Sequence, residues 1–207
     1  MASMKIFFAN MACYMSIKFN NDWNLMMFTI STYLVEISEG EESYISLDDS
    51  LRLREVFDHH KFTPEHIQMH IMIQFNNQIV IGNDIPSGLN LWDDYIVGIE
   101  KFLNGENVEI PYGIDPYLMK LISINSNSLE LSIVGDWEPV KVFAQDILPK
   151  RELFTAILDG AEHFWNTLID YKVFEEKEIK DTASREYPKL MIKEIEKLSA
   201  KVKTLFK

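Results

Sequence analysis

Four of the five histidines, His59, His60, His66 and His70, fall within twelve residues of one another. Imidazole ligates divalent ions and titrates near neutrality, so this is the first place to look for metal or acid–base chemistry. A metal site needs about three ligand atoms converging at about 2.0–2.1 Å. His66 and His70 share one face of an extended run, but four residues of strand set them roughly 13 Å apart. His66 reaches His59 or Asp58 only through a loop that nothing in the sequence specifies. No H-E-x-x-H or C-x-x-C spacing occurs. These histidines are therefore expected to be structural or exposed, with no metal bound and the strand histidines free to titrate near neutral pH.

Other chemistries are equally short of a motif. The single cysteine, Cys13, has no nucleophile signature around it, and it allows no intrachain disulfide, which fits a reducing compartment. There is no G-x-S-x-G elbow to nominate a serine. The eight glycines are scattered, without G-x-G or G-x-x-x-x-G-K, so ATP, NAD and flavin sites of the familiar kinds are not expected and no cofactor is assigned. Asp93 and Asp94 are adjacent; on a helix they point about 100° apart and do not form a catalytic pair by themselves. In a first helical turn they complement the helix dipole instead.

Charge is the strongest bulk signal. The chain carries 20 basic and 32 acidic residues, a net −12. Residues 1–150 hold 9 basic and 21 acidic residues and residues 151–207 hold 11 of each, so the whole excess lies in the first part. Such a surface repels phosphate backbones and anionic membranes and steers toward basic proteins. Neither a nucleic-acid nor a membrane partner is expected. No apolar stretch approaches the ~20 residues of a membrane helix. Lys5 followed by Ile6–Cys13 resembles a short leader, but Asn10 interrupts it; a buried first strand and a cytoplasmic location are expected. Met4 is read as the natural start.

The elements that must position these residues can be read from periodicity. Leu25–Ile37 and Tyr44–Leu47 read as a hairpin across Glu39-Gly40-Glu41-Glu42. His66–Phe75 alternates with period two, placing Ile67, Met69, Ile71, Ile73 and Phe75 on a core face and His70 on the opposite one. Asn76-Asn77 turns it into a second hairpin. Helical spacing takes over at Leu91–Leu103, with Gly105 as its C-terminal cap. Ile110–Tyr117, with two prolines and two tyrosines, reads as a stiff aromatic loop. Leu118–Ile124, Ser128–Val134 and Val140–Ala144 read as strands, and Glu152–Tyr171 as a helix with a wide apolar face. Met191, Ile195, Leu198, Val202 and Leu205 follow a 4-3-4-3 rhythm, read as a helix packed on the body or as the seam of a homodimer through residues 188–207. The expected fold is one α+β domain, a mainly antiparallel sheet with long C-terminal helices on one face.

From Trp92 to Tyr171 the order is a Trp-bearing helix, Phe102-Leu103-Asn104-Gly105-Glu106, two strands, Val140–Pro149 and an aromatic helix with Phe164-Trp165. This order resembles small bacterial proteins of uncharacterised function, some of them similar to immunity proteins of toxin systems. The resemblance implies a binding protein and transfers no functional residue. The expectation is a non-enzymatic acidic protein that neutralises a protein partner, as an immunity protein or a phage-encoded inhibitor of a host defence protein would. Its interface is expected at Glu39, Glu41, Glu42, Asp48, Asp49, Asp93, Asp94, Tyr112 and Tyr117. The alternatives are a hydrolase or ligand pocket in the His59/His60/His66 region, and a self-assembling module using the last helix.

Overall fold

The computed structural model describes residues 27–38, 41–59, 67–113, 116–174 and 182–206. The first strand expected near Ile6, Glu39 and Gly40, His60, His66, Ile114, Asp115 and residues 175–181 lie outside the described residues.

Strand β1 (Phe28–Ser38) pairs antiparallel with β2 (Glu41–Ser46) on one side and β3 (Gln68–Phe75) on the other. Asn76 and Asn77, at φ 50° and 65°, make the tight turn into β4 (Gln78–Ile81). Positive φ at both turn residues matches the right-handed twist of the flanking strands, and asparagine tolerates it better than most residues. The two-residue β5 (Gly88–Leu89) also pairs with β3. This first sheet runs β2-β1-β3-β4. Between β2 and β3 lies α1 (Ser50–His59), capped by Asp49, whose Oδ1 accepts from the Arg52 amide at 3.1 Å. Leu53, Val56 and Phe57 give α1 its buried stripe.

A second antiparallel sheet, ordered β6-β7-β8-β9, holds β6 (Val108–Pro111), β7 (Tyr117–Ser123), β8 (Ser128–Gly135) and β9 (Val142–Pro149). Of the stiff loop expected at Ile110–Tyr117, Ile110 and Pro111 thus end β6 and Tyr117 begins β7. The proline fits because β6 is an edge strand, where a missing N–H breaks no interior ladder. Asn125 makes the β7–β8 turn by accepting the amides of Asn127 and Ser128 at 2.8 Å each. Lys150 seals the turn: its Nζ donates to Ser123 Oγ at 2.8 Å and to the Asn125 carbonyl, and sits over the Phe102 ring.

The helices join the two sheets. α2 (Leu91–Leu103) ends where expected, with Gly105 at φ 91°. α3 (Lys150–Asp170) follows β9 without a connecting residue and packs on β1 of the first sheet and β9 of the second. α4 (Thr182–Leu205), with Pro188 inside it, lies along α3 and touches α2. One cluster of buried apolar residues takes in both sheets and all four helices. The fold is the expected α+β, with the C-terminal helices on antiparallel strands; among the described residues those strands form two sheets rather than one, and α3 serves both.

Gly160 explains how α3 comes so near the first sheet. A Cβ there would stand 2.7 Å from Trp92 Cη2 and 3.3 Å from Ile30 Cγ2. Trp92 is itself fully buried, so the helix approaches only because that Cβ is missing. Of the 4-3-4-3 seam on α4, Ile195, Leu198 and Val202 are buried within this one chain, and Leu205 is exposed.

Candidate functional site

At one end of the second sheet, three aromatic rings from different segments meet. Tyr117 begins β7, Trp137 lies in the loop after β8, and Phe143 lies in β9. Their centroids are 5.0 Å apart for Tyr117–Phe143, 5.7 Å for Tyr117–Trp137 and 5.9 Å for Trp137–Phe143, all edge to face. Such geometry aligns positive ring edges with negative faces and contributes about 0.5–1.5 kcal/mol per pair beyond area burial. The loop is closed by two short backbone bonds, Gly135 N to Lys141 O at 2.8 Å and Asp136 N to Pro116 O at 2.7 Å. It carries a cis Glu138–Pro139 peptide.

Gly135 is the seat of Trp137, since a Cβ there would fall 2.5 Å from the indole ring. Lys141 Nζ lies 4.4 Å from the centre of Phe143. Trp137 nevertheless stays 37% exposed, and Val140 and Val142 are 55% and 51% exposed. The rim is a held aromatic cluster with an apolar margin, and Asp136 and Glu138 are exposed within its loop. Pre-positioned Trp and Tyr beside apolar surface are the residue types that dominate protein–protein binding energy.

The acidic positions of the first 150 residues divide by environment. Glu41, Glu42, Asp48 and Asp49 are exposed; Glu39 lies outside the described residues. Asp49 caps α1, and Asp48 faces His163 Nε2 at 3.6 Å across an open surface, a contact worth little. Glu42 is the most engaged of the four. It accepts the Tyr44 hydroxyl at 2.6 Å and the Ser87 hydroxyl at 3.4 Å, and Ser87 in turn accepts from Gln68 Nε2 at 2.9 Å. The bond to Glu42 holds the Tyr44 phenol above its ordinary range.

His70 stands beside this chain of polar groups. It lies opposite Tyr33 in the ladder, and its ring meets Tyr44 edge-on at 5.8 Å. Although it lies on the face of β3 expected to meet water, it is buried, and its Nε2 has no hydrogen-bond partner among the described residues. Burial pulls its pKa down, and Glu42, Asn83 and Asp84 partly offset that. The side chains of His59, His60 and His66 lie outside the described residues. Among the described residues no three His, Cys, Asp or Glu side chains converge in a metal-binding group.

Asp93 and Asp94 do sit in the first turn of α2, as the sequence implies. Their surroundings are not those of an open helix end. Asp93 Oδ2 accepts the Tyr187 hydroxyl at 2.7 Å, and Asp94 Oδ2 accepts the Gly113 amide at 2.7 Å. Burial pushes each carboxyl up to about 6, outweighing the bonds from Tyr187 and Gly113, which pull the other way. Desolvation here exceeds the helix dipole, whose contribution is about 0.3–1 kcal/mol at a surface site. Tyr112 is 3% exposed, its ring edge-on to the buried Tyr95 at 5.9 Å, so it presents no surface to a partner. Burial carries both phenols above their ordinary range.

The structure therefore joins Tyr117 to an aromatic rim, leaves Glu41, Glu42, Asp48 and Asp49 on the surface, holds Asp93 and Asp94 half-buried in hydrogen bonds to Tyr187 and Gly113, and buries Tyr112. Trp137, Phe143 and Tyr187 carry no assigned role in the sequence, and His70, expected on the open face of its strand, is buried. Their only advance signal was aromatic content beside a Gly/Pro-bearing loop, and in the case of His70, a polar residue opposite a tyrosine across a ladder. No helix among the described residues is long and apolar enough to cross a membrane. No protein-family model, curated protein or solved structure matches this chain.

Proposed function

We propose that this protein is a non-enzymatic, cytoplasmic binding protein that occupies and neutralises a basic protein partner, in the manner of an immunity protein or inhibitor. The observation that carries the reading is the Tyr117–Trp137–Phe143 rim with exposed Val140 and Val142 at its margin. The rim supplies rigid contact area, and the net charge of −12 supplies attraction at a distance. Glu41, Glu42, Asp48 and Asp49 are the accessible acidic residues that steer the encounter. The partner is a protein with an apolar pocket inside a basic surround.

The test compares the wild type, Trp137→Ala and a Glu41/Glu42/Asp48/Asp49 charge-reversed variant, each immobilised against native-host lysate at low and high salt. Support is one basic protein held stoichiometrically, lost with Trp137→Ala, and released by salt from the wild type. A protein held equally by wild type and Trp137→Ala would sink the rim as its site.

A further inference from the structure

The end of α2 carries the one Asn-Gly pair in the chain, Asn104-Gly105. Asn104 is the helix C-cap at φ −86° and ψ 4°. Gly105 follows at φ 91°, where a Cβ would meet nothing within 4 Å among the described residues. The Gly105 amide donates to the Phe102 carbonyl at 3.0 Å and the Glu106 amide to that of Lys101 at 3.4 Å, closing the helix in a Schellman turn. Both Asn104 and Gly105 are exposed. From α4, Lys201 Nζ donates to Asn104 Oδ1 at 2.6 Å. One helical turn earlier the same two helices meet again, at Lys197 and Glu100, 3.7 Å apart.

We propose that Asn104-Gly105 is a self-modification site, where the asparagine deamidates through its own backbone and Lys201 promotes the step. The Gly105 nitrogen, its proton lost to solvent base, bonds to Asn104 Cγ, and the electron pair of the side-chain carbonyl moves onto Oδ1. The tetrahedral centre then re-forms that carbonyl, and the side-chain nitrogen takes a proton from water and leaves as ammonia. Water opens the resulting five-membered imide at either carbonyl, giving aspartate or isoaspartate. Lys201 Nζ lies where negative charge develops on Oδ1, which is the position of an oxyanion donor.

Ring closure turns ψ of Asn104 away from 4° and lifts the Gly105 amide off Phe102. Glycine has no side chain to oppose that turn, and the bond it breaks is the last of a helix end, where fraying is easiest. Asn125 is the contrast. Its Oδ1 accepts the amides of Asn127 and Ser128 at 2.8 Å each, and the residue after it, Ser126, carries a side chain. The two products differ in consequence. An aspartate at position 104 keeps the main chain and turns the Lys201 contact into an ion pair. Isoaspartate adds a methylene to the main chain, which undoes the Schellman turn and loosens α2 from α4 at this point.

The test incubates the full folded chain near pH 5 and near pH 8 and follows the intact mass for conversion of amide to acid. Electron-transfer fragmentation places the change and distinguishes isoaspartate from aspartate. Conversion should appear at Asn104 before any other asparagine, and faster near pH 8, where more of the attacking nitrogen is deprotonated. Lys201→Met, which keeps the stem along α4 and removes the donor, should slow it by about tenfold, less than a buried oxyanion donor would because this one is solvated. Lys201→Arg, which restores a donor, should recover most of the rate. In denaturant all three chains should convert alike, since the donor is in place only when α4 lies against α2. First conversion at another asparagine of the folded chain, or a folded Lys201→Met chain that converts as fast as wild type, overturns the proposal. That readout needs no partner, so it stands or falls separately from the binding reading.

Discussion

The hydroxyl of Tyr187 and Oδ2 of Asp93 lie 2.7 Å apart although the residues are 94 positions apart in sequence. The bond pins a late helix to the first turn of an early one. Hydrogen bonds to a charged partner contribute about 1.5–3 kcal/mol. Tyr187→Phe keeps the ring against Trp165 and removes only the hydroxyl. It should destabilise the protein at neutral pH by about 1–2 kcal/mol in urea titration, with the m-value unchanged.

Asp93 and Asp94 should reverse the usual carboxylate contribution to stability. Each has a pKa raised from 3.8 to about 6, so the folded state binds protons more tightly than the unfolded one. Their contribution is fully present below about pH 4 and is lost as pH rises through 6. Asp93→Asn/Asp94→Asn retains acceptors for Tyr187 and Gly113. Since the sites are coupled and partly solvated, the gain at pH 7.5 should be about 1–2 kcal/mol, vanishing near pH 4. Thermal melts of wild type and double variant from pH 4 to 8 decide it; parallel curves would refute it.

His70 opposes that pair. Its pKa is lowered, so its contribution is present above the unfolded value of 6.5 and is lost as pH falls through the folded value. His70→Gln should therefore lose less stability than wild type on acidification below pH 6.5, whatever its stability at pH 8. The same melts read this out, and a variant curve that falls as steeply as wild type rules it out.

Gly160→Ala sets helix propensity against packing. Alanine in a helix gains up to about 1 kcal/mol over glycine. The new methyl would have to displace the buried indole of Trp92, 2.7 Å away, and overpacking costs about 1–3 kcal/mol. The collision should win, with a net loss of about 1–2 kcal/mol in denaturant midpoint. A gain would show that α3 can shift off the first sheet.

Trp137→Ala should separate binding from folding. Its ring is partly exposed and lies at the sheet's end, so stability should drop by no more than about 1–2 kcal/mol. Affinity for the captured partner should fall by at least about 30-fold, as for a central aromatic anchor. Gly135→Ala, which evicts the indole from its seat, should reproduce the binding loss with the tryptophan still present. Surface plasmon resonance on the three proteins tests both halves.

Local pattern carried a good part of this fold into the sequence. The alternation of Met69, Ile71 and Ile73, the Asn76-Asn77 turn and the α2 span with Gly105 at its end all follow from short-range rules. β6 was hidden because Pro111 signals a loop unless one knows the strand lies at an edge. The division into two sheets is settled by which strands pair, and nothing in strand periodicity states that. The site was less legible for the same reason. Tyr117, Trp137 and Phe143 belong to three segments, and only the β7–β8–β9 ladder brings their rings together. The burial of Tyr112 and His70 likewise depends on neighbours distant in sequence.

β9 passes into α3 at Pro149 and Lys150 with no residue between them. A helix turns by about 100° per residue, so one residue inserted or deleted there would swing the apolar stripe of α3 from the core into water. The same change would flip the faces of β9 if taken up on the strand side. Descendants of this chain can vary in length within the 136–141 loop, where spare residues leave both neighbours in phase, while the strand–helix joint forbids it. Indels in its lineage should therefore be found in the rim loop and excluded from positions 148–151, so that whatever the rim recognises can diversify while the scaffold behind it stays fixed in register.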